Sequence, residues 1–435
     1  MRCGTSCSAT RLVAFGAKHM QSLAETPALA GPGMTTAKTR HAFALRLAAG
    51  IAGYCAFINL YSPQSILPLL SEEFGASAAE ISTIITVSTL AVALTAPFTG
   101  TVADVLGRKR VIVTAMFVLV IPTVMVGLST NLTALIFWRA VQGLVLPPIF
   151  AVVVAYIGDE LPRHEATTVA GIYSSGSSLG GFSGRLFVGL LADLVSWRAG
   201  FMALAAIAFA GAVAVAILLP HERKFVRSEG LLASGKQMLA HLRDRQLLAT
   251  YAVGFGVLFN FITTFTYVSF YLAAPPFNLS ASWLGAIFVV YLTGSILTPW
   301  TGWAVGRFGR RRFMVRVIAL WIGGIALTLV PSLPLIIAGL ALCAGCGLIC
   351  QAISTGYVTV TAKAGRSSAV GLYVTSFYIG GSFGAALGGA AWTIGGWQAC
   401  VALVIAMLVI MSAIVFFAWA RRIPAATSIP PIEPP

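Results

Sequence analysis

Arg139 and Arg185 each stand inside a long apolar run that carries no carboxylate at helix-contact spacing. A guanidinium in such surroundings costs about 2.5–3.5 kcal/mol on insertion scales unless it finds a partner. Either arginine is therefore a candidate to face a cavity and meet an anion, a hydroxyl-rich ligand or an acid near the rim, such as Glu80. The plainer alternative ties each to backbone carbonyls or sets it at a helix C-terminus. Counted along their runs at about 1.5 Å per residue, the two lie at similar depth, and Gln142 stands close behind Arg139.

A second constellation is written twice. The stretch 97–110, PFTGTVADVLGRKR, returns as 299–312, PWTGWAVGRFGRRR, each time closing an apolar run. Gly100, Gly107 and Arg108 match Gly302, Gly309 and Arg310, and Lys109 extends the basic cluster. Asp104 faces Gly306, so whatever its carboxylate does is done in one copy only. The glycine-rich run from Gly171 to Arg185 also has an echo, in which Gly171, Tyr173, Gly180, Gly181 and Gly184 meet Gly371, Tyr373, Gly380, Gly381 and Gly384, and Arg185 meets Ala385. Glycines four apart let helix backbones approach closely, at a sliding surface or a static contact alike. Phe74 and Ser77 likewise match Phe277 and Ser280.

Neutral polar groups make up the third set. Tyr54, Asn59, Tyr61 and Gln64 share the first apolar run, Asn260, Thr263, Thr264 and Tyr267 the seventh, and Gln351 the tenth. Polar groups at membrane depth face protein or water, so these either line a cavity or bond to a neighbouring helix. Tyr54, Asn59, Gln64, Asn260, Tyr267 and Gln351 are the binding candidates. Cys343, Cys346 and Cys350 share one helix face and could hold a soft metal; small residues that let helices pack are the better reading, and no metal is expected.

The elements that must carry these groups follow from composition. Hydrophobic residues make up 58% of the 435 and charged residues only 9%, far below the quarter usual in soluble domains. Runs of roughly 20 apolar residues, the length that crosses a bilayer, lie near 44–66, 81–101, 111–128, 133–156, 167–192 and 199–220. Six more lie near 247–273, 282–303, 313–331, 334–359, 368–393 and 398–420, so an all-α integral membrane fold of twelve helices in two six-helix pseudo-repeats is expected. The net charge of +15 would suggest nucleic acid on a soluble face, but the basic residues cluster in alternate loops. Placing both termini in the cytoplasm puts all of those clusters inside and leaves Arg198 outside, as the positive-inside rule requires.

The expected organisation is a flexible tail over 1–40, with a second candidate start at Met34, and six-helix bundles over 41–220 and 247–422. Between them, 221–246 forms a linker whose apolar stripe of Leu231, Leu232, Met238, Leu239 and Leu242 suits a helix on the inner membrane surface. The Pro-rich end, 423–435, is expected to be disordered. Pro63 and Pro68 should bend or end the first helix.

No enzyme is indicated. All five histidines fall in tails, loops or span ends, and there is no Gly-rich loop of the Lys-Ser/Thr form to bind nucleotide. No cofactor is implied. None of the thirteen acids stands at the centre of a span, which disfavours a cationic ligand.

From about residue 40 to 422 the chain resembles the major facilitator superfamily. Gly100, Asp104, Gly107, Arg108 and Lys109 look like its signature A, with 302–312 a degenerate second copy; Leu135, Arg139, Gln142 and Gly143 look like signature B of proton-coupled antiporters. The glycine-rich run occupies the place of the exporters' signature C but lacks its Gly-Pro. Within the superfamily the likeness is to bacterial exporters related to sugar and arabinose efflux permeases. The resemblance implies a bacterial inner-membrane protein that exports small neutral or anionic organic molecules, sugar-like or drug-like, by alternating access with protons as exchange partner. It also implies that Asp104 is a cytoplasmic latch near Ser367 and Ser368, with Arg108 closing the network, and carriers of this type can work as monomers. The alternative within transport is an importer or exchanger of organic anions using Arg139 and Arg185; outside transport it is a membrane receptor, for which no long loop or soluble domain is present.

Overall fold

The computed structural model describes residues 32–222, 238–362 and 365–419. The chain divides into two units between Ala44 and Leu45, and the account below concerns the second. Residues 1–31 of the expected tail, most of the expected surface helix in the linker, and the end of the chain from 420 lie outside the described residues. Residues 32–40, read from the sequence as tail, form the first turns of a helix that begins at Pro32, a residue whose preset φ suits the first helical position.

Twelve long helices follow one another among the described residues, with no strand. In the first half they are α1 (Pro32–Leu60), α2 (Thr83–Leu106), α3 (Arg108–Gly127), α4 (Leu132–Glu160), α5 (Arg163–Leu194) and α6 (Trp197–Leu218). In the second half, α7 is Arg245–Ala273 and α8 runs over Ala281–Phe308, interrupted by 3-10 turns at Phe288–Val290 and Thr298–Trp300. Next come α9 (Arg310–Leu327) and α10 (Leu333–Thr361). The last helical stretch, Arg366–Ala418, breaks at Gly395 and Gly396, whose φ of −156° and 58° are not helical; it is therefore α11 (366–394) and α12 (397–418).

The chemistry of each run explains its helix. Nine stretches, with α11 and α12 taken together, are long and apolar enough to cross a membrane. The two others are α5, diluted by glycine and serine, and α9, which opens on three arginines. Side chains at the ends supply the acceptors that first-turn N–H groups lack. Asn131 accepts from Ala134 at 2.8 Å, Ser196 from Ala199 at 3.2 Å, and Asp244 from Gln246 and Leu247 at 2.8 and 3.2 Å. After α1 ends at Leu60, the chain passes through a 3-10 turn at Ser62–Ser65 containing Pro63 and a short helix, Leu67–Phe74, with Pro68 in its first turn.

The duplication holds in three dimensions. Gly107 (φ 91°, ψ 133°) and Gly309 (φ 77°, ψ 137°) make the same turn into α3 and α9, in a region of backbone space that suits glycine. In the glycine-rich pair, a Cβ on Gly180 or Gly184 would lie 2.3 or 2.4 Å from the carbonyl oxygen of Tyr54 or Ile58 on α1. A Cβ on Gly380 or Gly384 would lie 2.0 or 2.4 Å from that of Phe255 or Phe259 on α7. These glycines weld α5 to α1 and α11 to α7, each within its own half.

Other contacts join the halves. Helix α2 packs on α11, where Thr89 and Ser382 share a hydrogen bond of 2.9 Å, and α5 packs on α8, where the Asp193 carboxylate accepts from the Ser282 N–H at 2.9 Å. Backbone meets backbone here: a Cβ on Gly189 would lie 2.2 Å from the Ala281 oxygen, and one on Gly285 2.6 Å from the Arg185 oxygen. All of these sit toward the end of the bundle that carries Glu73, whose carboxylate holds Trp197 Nε1 and, at 2.7 Å, Arg198. Toward the Gly107 end the pattern reverses, since a Cβ on Gly158, Gly171, Gly356 or Gly371 would meet nothing within 4 Å.

Candidate functional site

Between the two halves lies a cavity of about 260 Å³. From the first half Phe57 and Tyr61 border it at the end of α1, with Tyr173, Ser174, Ser177 and Ser178 on α5. From the second half come Phe261 on α7, Tyr291 on α8, Gln351 on α10 and Phe377 and Tyr378 on α11. Arg185 is the single charged group among the described residues that line it. Such a lining is apolar with a few convergent polar groups, the usual make-up of a small-molecule site.

Arg185 is 2% exposed and pairs with no carboxylate among the described residues. Its Nε and Nη2 donate to Gln64 Oε1 at 2.9 and 2.6 Å, and Nη1 donates to the Gly181 carbonyl at 2.5 Å. Aromatic rings surround the guanidinium, with the centroids of Phe288, Tyr291 and Tyr61 at 4.4, 5.0 and 5.1 Å. Cation–π contact of this kind is worth most where water is excluded. Gln64 extends the network across the halves, its Nε2 donating to Thr266 Oγ1 on α7 at 3.1 Å.

Arg139 takes the plainer role. It is fully buried and borders no part of the cavity. Nη1 donates to the Asn59 carbonyl at 3.0 Å and to Gln142 Oε1, and Nη2 to the Leu60 carbonyl. A cation on the last carbonyls of α1 satisfies acceptors that the helix leaves open and opposes its dipole. Gln142 Nε2 donates to Thr123 Oγ1 at 2.9 Å, and Thr123 Oγ1 reaches Asn59 Oδ1 at 3.0 Å. Arg139, Gln142, Thr123 and Asn59 thus close a ring that knots α1, α3 and α4 together.

Glu80 meets neither arginine. It is exposed and accepts from Ser77 N and Oγ at 2.8 Å each, in a capping box. The sequence offered it as an acid near the rim, but the short helix Ala78–Ile81 uses this acid to close its own first turn.

Of the six neutral binding candidates, Gln351 lines the cavity and Gln64 reaches it through Arg185. The others serve packing: Tyr54 OH accepts from Ser183, Asn59 belongs to the Arg139 ring, Asn260 Nδ2 donates to Met411 Sδ, and Tyr267 OH donates to the Ala385 carbonyl at 2.6 Å. Tyr173, the serines of α5, Tyr291 and Tyr378 were missed. The run Ser174, Ser175, Ser177, Ser178 between matched glycines was the available signal, since the glycines fix one face of α5 on α1 and leave the serines the other.

At the Gly107 end, Arg108 Nη2 pairs with Asp104 at 3.3 Å, while Nη1 pairs with Asp159 and donates to the Ala155 carbonyl at 3.0 Å. The carboxylate of Glu222 accepts from Lys109 N at 3.3 Å, filling the space beside Gly107. In the second copy Gly306 and Gly309 would carry a Cβ in open space, as would Gly100 and Gly302, and Arg310 lies over the Tyr357 ring, 5.0 Å from its centroid. The side chain of Ser367, one expected neighbour of Asp104, lies outside the described residues.

Twelve long helices among the described residues, most of them apolar enough to cross a membrane, in two matched halves around a shared cavity define a membrane transport protein. The chain belongs to the Major Facilitator Superfamily, whose family model matches residues 49–294 and 257–434. It is 34% identical over 363 residues to the inner membrane transport protein YnfM of Escherichia coli (strain K12), covering 82% of this chain and 86% of that protein. Among solved structures it is similar to the nucleoside transporter NupG, with TM-score 0.72 and 16% identity over 86% of this chain and all (100%) of that one. It is also similar to a bacterial homolog of the human lysosomal transporter Spinster in an inward-facing and occupied conformation, with TM-score 0.70 and 16% identity over 87% of this chain and 98% of that one. The protein is an integral membrane transporter and not an enzyme.

Proposed function

We propose that the protein is a secondary active carrier of the bacterial inner membrane, with both termini and the Gly107 end in the cytoplasm, that exports small neutral or anionic organic molecules in exchange for protons. The observation that carries this reading is the cavity shared by the two halves, where Arg185 is the one charged group among the described lining residues. Backbone contact joins the halves toward the Glu73 end, while a Cβ on Gly158, Gly171, Gly356 or Gly371 toward the Gly107 end would meet nothing within 4 Å, a pattern that suits an inward-open state of an alternating-access cycle in which two pseudo-repeats rock about one site. Asp104 with Arg108 would be the cytoplasmic latch, holding α2 toward the start of α11 when the other state forms.

Anion exchange is the second reading, and one observation favours it: no Asp, Glu, His or Lys is among the described residues that line the cavity. A proton exchanged through such a site must ride on the solute or on acids at the span ends.

The test is uptake into inverted vesicles or proteoliposomes holding the purified protein, with neutral, anionic and cationic solutes offered in turn. Uptake that follows an imposed pH gradient and reverses with it supports proton-driven export. Uptake that requires a preloaded anion supports exchange. Absence of flux for the whole panel, with the protein folded and inserted, refutes both.

A further inference from the structure

The donor geometry of Arg185 narrows the solute further, on the reading that the central cavity is the transport site. A guanidinium has five N–H donors in a planar fork. Three are used: Nε and one on Nη2 toward Gln64, and one on Nη1 toward Gly181. Of the two that are left, one belongs to Nη1 and one to Nη2, the adjacent nitrogens at the end of the fork. Two parallel N–H groups on adjacent nitrogens match the two oxygens of a carboxylate, which they bind in bidentate fashion.

Charge sets the valence. Arg185 is the single ionised group among the described lining residues, and it is buried with no carboxylate partner among the described residues. A monoanion brings the occupied cavity to neutrality, whereas a dianion leaves a net negative charge and a cation leaves two positive charges in a medium that screens them poorly.

Shape sets the rest. The cavity of about 260 Å³ is of the size that takes a small organic molecule. Phe57, Phe261, Tyr291 and Tyr378 offer flat apolar walls, and Ser177 and Gln351 offer hydrogen bonds. Aromatic walls favour an aromatic body through offset or edge-on contact.

We propose that the cavity binds a small aryl monocarboxylate, its carboxylate on the free Nη1/Nη2 edge of Arg185 and its ring among the aromatic side chains, with Gln64 kept in place as the positioning residue that aims the fork.

The probe is benzoate, compared with benzyl alcohol as neutral and benzylamine as cationic counterpart, with equilibrium binding to purified protein measured by calorimetry or by a shift in thermal unfolding. Benzoate should bind roughly tenfold or more tightly than either counterpart. The preference should vanish in Arg185→Gln, and Gln64→Ala should weaken benzoate while leaving benzyl alcohol unchanged. Equal binding of benzoate and benzyl alcohol, an anion preference that survives in Arg185→Gln, or no benzoate binding at millimolar concentration overturns the proposal. If Arg185→Gln does not fold, the three-ligand series on the unaltered protein decides. Binding is read separately from flux: benzoate bound but not moved refutes the transport reading of the site and leaves the ligand class standing. Flux of other solutes without benzoate binding does the reverse.

Discussion

Nη1 of Arg139 lies 3.0 Å from the carbonyl oxygen of Asn59, in the last turn of α1. An arginine on α4 therefore finishes a neighbouring helix, and its side chain is part of the fold of the first half. Arg139→Gln is expected to destabilise by about 2–4 kcal/mol, because two helix-end carbonyls and Gln142 lose a charged donor in a place water does not reach. Thermal unfolding in detergent measures the loss. The rank order of solutes that compete for binding should stay as it is; a changed order would return Arg139 to the cavity.

Gly184 on α5 and Gly384 on α11 are the same contact made twice, an added Cβ at each lying 2.4 Å from a carbonyl oxygen, and alanine at either is expected to cost about 1–3 kcal/mol by overpacking backbone against backbone. Gly171→Ala and Gly371→Ala are the controls. Their added methyl meets nothing within 4 Å, so stability should be unchanged or raised by up to about 1 kcal/mol from helix propensity. Melting temperatures of the four variants, measured side by side, check both halves of this expectation.

Gly107 and Gly309 share a positive φ, which costs a side chain roughly 1–2 kcal/mol. Their surroundings differ, since a Cβ on Gly107 would lie 2.6 Å from Glu222 Oε1 and one on Gly309 in open space. Gly107→Ala should therefore be the more damaging of the two, by displacing the carboxylate from Lys109 N. A double-mutant cycle with Glu222→Ala should return a coupling of about 0.5 kcal/mol or more; zero coupling would mean that the carboxylate yields freely.

The two ends of the bundle should respond in opposite senses. Asp193 sets a carboxylate on the first turn of α8 across the halves, an interaction typically worth about 0.3–1 kcal/mol. Asp193→Asn should raise the reactivity of a cysteine placed beside Ser282 by roughly two- to fivefold. Asp104→Asn should change the balance of the two open forms with little change in stability, because its partner Arg108 keeps Asp159, whose side chain is 56% exposed, and such pairs contribute at most about 1 kcal/mol. An unchanged accessibility ratio for Asp104→Asn would dismiss the latch.

Much of the fold was legible because a bilayer imposes a length on every apolar run and a duplication imposes a register on every glycine. Pro97 with Pro299, Gly107 with Gly309 and Gly184 with Gly384 each mark equivalent places in the two halves. The site was legible only in part. A charge or an amide among apolar neighbours must have a reason, and that logic singled out Arg185 and Gln351, which border the cavity, together with Asn59, Asn260, Tyr267 and Arg139, whose partners lie on neighbouring helices.

The sequence by itself determined the twelve crossings, the two halves, and the single-copy placing of Asp104, Arg139 and Arg185, since all of these depend on residue type and spacing along one chain. Only the tertiary structure decided which polar groups meet the cavity and which tie helix to helix. A buried polar side chain must be satisfied either way, and whether a carbonyl, an amide or a ligand satisfies it depends on what a helix far away in sequence brings within about 3 Å. That is why Arg139 ends at the carbonyls of α1 while Arg185, in the same kind of apolar run, borders the cavity.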